Sequence, residues 1–200
     1  VATDGLHLDL DLDLETKVYN THQSFDPDGK AIFTYRKTHL FNLKSSDGVL
    51  EFRESDSFLP GAPPERLFDV TCGARVWKAL TLICYDLRFP EIFRMQHFRT
   101  APPEVVFLPS AFTHRTGKAH WEVLVRARAI ENQCYIVACN QTGYFDGGLR
   151  RNYGHSIVVS PWGEVILDMG EPEGIGMVDL SHEDVFRCRD QLPALRNRVL

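Results

Sequence analysis

The sequence has no Cys-x-x-Cys pair and no His-x-x-x-His pair, although it carries five cysteines and eight histidines. Zinc ribbons and helix-borne zinc sites therefore drop out, and no metal is expected. The cysteines Cys72, Cys84, Cys134, Cys139 and Cys188 are odd in number, which excludes a secreted disulfide framework and leaves free thiols. No apolar run approaches the roughly 18 residues of a membrane span, and Val1 to Glu15 lack the basic and then apolar regions of a secretory signal. No membrane association is expected. Lysine and arginine form no block that neutralises a row of phosphates, and 22 basic against 27 acidic residues leave a net charge of −5. Nucleic acid is accordingly not an expected partner, and the chain reads as a soluble intracellular protein.

What is present is an ordinary globular composition, 44% hydrophobic and 24% charged over 200 residues. That length buries a core without staples, and no linker or internal repeat divides residues 1–200, so one domain is expected. Leu6 to Glu15 place leucine at every second position, the period of a half-buried edge strand. Asp9, Asp11 and Asp13 suggest calcium, but Leu14 and Asn20 stand where an EF-hand loop needs Gly and Glu, and calcium is rejected. Val18 to Phe25 and Ala31 to Tyr35 flank Asp26-Pro27-Asp28-Gly29 and predict a β-hairpin. Arg66 to Thr71 and Ala74 to Asp86 bracket a Cys72-Gly73 turn; the second run is apolar throughout, as in a strand buried on both faces. A short helix over Glu91 to His97 and a strand over Glu104 to Pro109 follow. Lys118 to Gln133 form the clearest helix, with Val123, Ala127, Ile130 and Cys134 as its apolar stripe and Glu122–Arg126 as a surface pair. Strands over Tyr135 to Asn140, His155 to Ser160, Val165 to Asp168 and Gly176 to Leu180 complete an α/β alternation.

Cys84 closes a buried-type strand and precedes a helix start at Pro90, the position where α/β sheets present reactive groups. There the Tyr85 N–H is free to face a developing oxyanion; the alternative is a buried structural thiol. Lys37 and His39 share one face at a strand end, where a lysine supplies a fixed positive charge or is simply solvated. Glu54 and Glu122 are single carboxylates whose default reading is a surface ion pair. Phe112, His114 and Arg115 follow the Pro109–Phe112 strand end as candidate pocket residues. Arg115 is either a carboxylate clamp through its fork of donors or a solvated loop residue.

Taken together and in order, YRKTHLF, FRES, LICYDLRFPE, PSAF, GKAHWEVLVRARAIENQCYIVA and GHSIVVSPWGEV resemble the nitrilase, or carbon-nitrogen hydrolase, superfamily. The resemblance is to its branch of omega-amidases and deaminated-glutathione amidases, and runs from about Tyr19 to the LPALRNR ending. It implies a four-layer α-β-β-α sandwich, N-terminally incomplete. It also implies Cys84 as nucleophile, Lys37 as the oxyanion-stabilising lysine that lowers the thiol pKa, and Glu54 as a second glutamate orienting the lysine and the hydrolytic water. The implied substrate is a small carboxylate-bearing amide that loses ammonia through a cysteine thioester, without a cofactor. A homodimer and a cytoplasmic setting, with the mitochondrion as the alternative, follow from the same resemblance. The other four cysteines are expected in or beside core segments with no cation nearby.

One departure lies at the front. The family pattern has a general-base glutamate well before the lysine motif, whereas only Glu15 precedes Lys37 here and its surroundings do not match. The chain is therefore expected to be a fragment or a truncated relative, Val1 in place of Met pointing to the fragment. Reduced activity is expected, since a general base commonly contributes ~10²–10⁴-fold; a normal rate would require Glu54 or Glu122 as base. The rival readings are a carbamoyl-hydrolysing relative and a non-catalytic scaffold used for oligomer or partner contacts. A papain-like protease is excluded by the surroundings of Cys84.

Overall fold

Asp26 sets the first hairpin: its Oδ1 accepts from the N–H groups of Asp28 at 3.0 Å and Lys30 at 2.8 Å. Gly29 takes a φ of +79°, a conformation that costs glycine nothing. In the computed structural model this turn joins β1 (Thr21–Phe25) to β2 (Ala31–Arg36) in antiparallel register from Thr21↔Arg36 to Phe25↔Ala31. The structure describes residues 17–44, 51–145, 147–148 and 150–199. The strand expected over Leu6 to Glu15 lies outside them.

The main sheet has six strands: β3 (Phe68–Cys72), β4 (Arg75–Thr81), β5 (Val105–Phe107), β6 (Tyr135–Ala138), β7 (Ile157–Val159) and β8 (Val165–Asp168). Their spatial order is β8-β7-β6-β5-β4-β3. The central three, β4, β5 and β6, are parallel, and the remaining pairings are antiparallel. The chain is thus a mixed α/β structure. Ala79, Leu80, Thr81 and Leu82 are fully buried, which accounts for the unbroken apolar run of the second predicted strand. That strand stops at Thr81 rather than Asp86, because Cys84–Arg88 curl into a 3-10 turn.

A parallel pair needs a long crossover, and α1 (His114–Asn132) supplies it between β5 and β6. This helix starts four residues before its predicted N-terminus, and its buried face differs from the predicted one. Val123 is 69% and Ile130 47% exposed, whereas Trp121, Val125, Arg128, Ala129 and Asn132 face the core. A buried arginine disguises that face in the sequence. Arg128 is tolerated there because its Nε donates to Leu87 O at 3.0 Å, its Nη1 meets Glu131 at 3.1 Å, and its guanidinium lies over Phe93.

Two further segments differ from expectation. The short helix expected over Glu91 to His97 is two pieces, Pro90–Phe93 and Gln96–Thr100. The strand expected over Gly176 to Leu180 is not formed, and Ile175 and Met177 stand 93% and 90% exposed. A strand exists through its hydrogen-bonded neighbour, and among the described residues none pairs with this segment. An unexpected helix, α2 (His182–Gln191), comes next; it buries Val185 and Cys188 and is tied to the sheet by His182–Glu104 at 3.1 Å and Tyr135–Asp184 at 3.0 Å.

Gly117 is the tight point between α1 and the chain that follows β6. Replacing a helix-interior glycine by alanine normally stabilises by up to about 1 kcal/mol, but a Cβ here would overlap Cβ and Cγ of Tyr153. Gly117→Ala is expected to destabilise by about 1–3 kcal/mol through overpacking, read as a lowered Tm in thermal denaturation. An unchanged or raised Tm would show that Tyr153 yields.

Candidate active site

The C-terminal ends of β4, β5 and β6 lie side by side, where open α/β sheets bind ligands. Past the regular strands the chain stays stitched: Cys84 N–H donates to Pro109 O at 2.9 Å and Ser110 N–H to Cys139 O at 2.8 Å. Asn140, buried beyond β6, accepts from Phe112 N–H through its Oδ1 at 2.8 Å and donates to Gly154 O at 2.6 Å. These bonds fix the Ser110–Phe112 backbone beside Cys84, whose sulfur accepts from the Ala111 N–H.

Cys84 opens the 3-10 turn with a φ of +48°. A non-glycine residue in this left-handed region costs of order 1–3 kcal/mol and persists only where its surroundings dictate it. Burial pushes the thiol above its ordinary value; the Ala111 N–H and then the Lys37 ammonium pull it down, and the carboxylates of Glu54 and Asp86 push it up. Lys37 lowers the thiol as the sequence leads one to expect, but the net direction is upward, because burial outweighs that charge and Glu54 offsets part of it.

Lys37 sits one residue past β2 with only 3% exposure, and its Nζ donates to Glu54 Oε1 at 2.8 Å and Oε2 at 2.5 Å. Glu54 is 8% exposed and also accepts from Phe41 N–H at 2.6 Å. The pair is therefore not the surface ion pair that is the default for an isolated Glu. Removing only the lysine would strand a buried carboxylate at a cost of roughly 3–5 kcal/mol. Tyr85 follows Cys84 as second residue of the turn, where opening N–H groups have no partner inside the turn. Phe112 is buried, tilted against Trp121 and covered by the Arg88 guanidinium at 5.2 Å. His114 turns to Glu171 at 3.8 Å and toward Tyr153, while Arg115 is exposed in the first turn of α1. Glu122 lies exposed on α1, paired with Arg126 at 3.4 Å.

Tyr35 and Asp86 went unremarked in the sequence. With the partly exposed His39 they form a hydrogen-bonded network beside the Cys84 turn. Its only signal was spacing, with Tyr35, Lys37 and His39 alternating and Asp86 two residues past Cys84. Cys134 and Cys188 are buried, and Cys72 and Cys139 are exposed at the ends of sheet strands; the expectation that no cation lies near these thiols is corrected, because Arg189 acts on both Cys134 and Cys188. Among the described residues no group of His, Cys, Asp and Glu side chains is arranged to hold a metal, and no helix is long and apolar enough to cross a membrane.

The family described as carbon-nitrogen hydrolase matches residues 10–190. The deaminated glutathione amidase of Synechocystis is 36% identical over 92% of this chain and 65% of its own length. The Bos taurus protein of the same name is 41% identical over 91% and 53%. The crystal structure of the C. elegans NitFhit protein superposes with a TM-score of 0.79 at 38% identity, over 92% of this chain and 43% of that one. The chain thus spans 65% or less of the length of each of these proteins.

Iodoacetamide labelling followed by peptide mass mapping separates the thiols. Cys72 and Cys139 are expected to label because they are exposed, and Cys84 to label with a pH midpoint above that of an ordinary thiol. Lys37 acts on the thiol more strongly than Glu54, so the charge-free Lys37→Met/Glu54→Gln variant is expected to raise the midpoint further. A midpoint unmoved in that variant would remove the lysine from the thiol's environment.

Proposed function

The chain belongs to the carbon-nitrogen hydrolase family, and on that premise we propose that it is part of a thiol amidase releasing ammonia from a small carboxylate-bearing amide. The observation that carries this reading is the buried Lys37–Glu54 pair standing within electrostatic reach of a strained cysteine at three parallel strand ends. The Cys84 thiolate attacks the amide carbonyl, and the new oxyanion faces the Lys37 ammonium and the Tyr85 N–H. The nitrogen takes up the thiol's proton as the C–N bond breaks, ammonia leaves, and a thioester remains on Cys84. Water oriented by Glu54 cleaves the thioester to the acid and restores the thiol. The reaction as written calls for no cofactor.

Phe112 is read as an apolar wall of the substrate pocket, with His114 and Arg115 at the start of α1. Arg115 is read as the clamp for the substrate carboxylate, and Arg88, lying over Phe112, is a second basic group on that wall. The relatives named deaminated glutathione amidase favour that compound or a related α-keto acid monoamide over a carbamoyl substrate. Residues 1–200 are read as one domain of the family's four-layer α-β-β-α sandwich, with the β1–β2 hairpin in its second sheet and the setting cytoplasmic or mitochondrial. The alternative is a catalytically impaired scaffold, which an ammonia-release assay separates from the amidase reading.

Ammonia release against a panel of monoamides tests the reading. Turnover is expected on α-keto acid monoamides, and lower by ~10²–10³-fold in Lys37→Met/Glu54→Gln. A folded variant with undiminished turnover would sink the assignment. The partner is read as a second copy, supported by the exposed Val123, Ile130 and Trp162, where Gly163 abuts Ile130. Light scattering is expected to show a dimer that Val123→Lys dissociates; a monomer at high concentration would count against it.

A further inference from the structure

The side chain of Asp86 is fully buried and accepts four hydrogen bonds. Two come from its own neighbourhood and the hairpin: Oδ2 takes the Ile83 N–H at 2.9 Å and the Tyr35 hydroxyl at 2.7 Å. Two come from His39, whose N–H and Nδ1 reach Oδ1 at 3.0 and 2.8 Å. Tyr35 and His39 stand two residues to either side of Lys37, and Ile83 immediately precedes Cys84. One carboxylate therefore grips the lysine-bearing segment on both flanks and the nucleophile turn at its entry. The remaining contacts lock these grips. Thr38 N–H donates to the Tyr35 hydroxyl at 3.2 Å, and the His39 ring stacks on Phe89, just past the 3-10 turn, with centroids 3.8 Å apart. Burial and the Asp86 charge hold the Tyr35 phenol far above its ordinary pKa, so it stays a donor.

We propose that Asp86 is a positioning residue that sets the Lys37 ammonium against the Cys84 thiol by clasping Tyr35 and His39 to the nucleophile turn. The inference rests on the assignment of Cys84 and Lys37 as the reacting pair. It goes further by giving the reason that two segments far apart in sequence meet in one geometry. Glu54 alone does not supply this, because it binds the ammonium without touching the cysteine turn in any hydrogen bond of the described residues.

The test reads the geometry through the thiol, so it needs no turnover and uses the 200-residue chain. Cys84 is faced by Lys37, Glu54, Asp86 and the Ala111 N–H. Of these only Lys37 is a cation whose displacement removes a downward pull. Tyr35→Phe removes one grip, and His39→Phe removes the Nδ1 grip while keeping a ring to stack on Phe89. Each leaves the charge of Asp86 in place. Each is expected to move the pH midpoint of Cys84 alkylation upward by about one unit, making labelling near neutral pH about tenfold slower. His39→Asn, which returns an N–H donor near the Nδ1 position, is expected to bring the midpoint back. A merely structural role would lower Tm in these variants and leave the midpoint unmoved, and that result overturns the clasp. The Lys37→Met/Glu54→Gln variant separates the two levels of the argument. If it raises the midpoint while the clasp variants do not, the clasp alone fails. If it leaves the midpoint unmoved, the reading of Lys37 fails and the clasp falls with it.

Discussion

Burying an ammonium and a carboxylate costs several kcal/mol per ion unless each is fully paired. Lys37 and Glu54 meet that condition through both carboxylate oxygens, with the Phe41 N–H as a further partner for Glu54. The pairing demands that the end of β2 and the 3-10 turn over Glu54–Asp56 pack together. The Gly61 N–H bonded to Lys37 O and the Glu54 N–H bonded to Phe41 O hold the two stretches at that separation. The fold around the site is in this sense arranged about one ion pair, and the hairpin exists to deliver its lysine.

Electrostatics explains why such a pair suits chemistry at a thiol. Glu54 satisfies the buried Lys37 ammonium with two hydrogen bonds, and its charge offsets part of the lysine's pull on the sulfur. The thiol consequently rests protonated, raised by burial. On the proposed mechanism, activation falls to a group that takes the proton when substrate is present, which is the work of a general base. On that reading the site is preorganised around the oxyanion more than around the thiolate, and the strained φ of Cys84 belongs to the same preorganisation.

Packing tells a parallel story away from the site. The helix α1 turns Trp121, Val125 and Ala129 to the sheet and leaves Val123 and Ile130 outside. A count of apolar residues at helical spacing finds both stripes equally; what selects between them is that Arg128 has acceptors waiting at Leu87 and Glu131. The segment over Gly176–Leu180 errs in the other direction. Its composition is that of a strand, but composition cannot provide the neighbour whose N–H and C=O groups a strand requires.

From the sequence alone came the hairpin at Asp26–Gly29, the buried strand leading to Cys84, the helix that crosses to β6 and the candidacy of Cys84, Lys37 and Glu54 as site residues. All rest on local physics or on ordered motifs: a turn's φ requirements, an apolar run, a 3.6-residue period, and residue types recurring at compatible spacing. Tertiary structure decided the rest. It alone determined that Glu54 is buried against Lys37, that Asp86 grips Tyr35 and His39, that α2 docks through His182 on Glu104, and that burial outweighs the pull of Lys37 on the Cys84 thiol. Each of these depends on the distance between groups remote in sequence and on how far water is excluded between them, and neither quantity is written in the order of the residues.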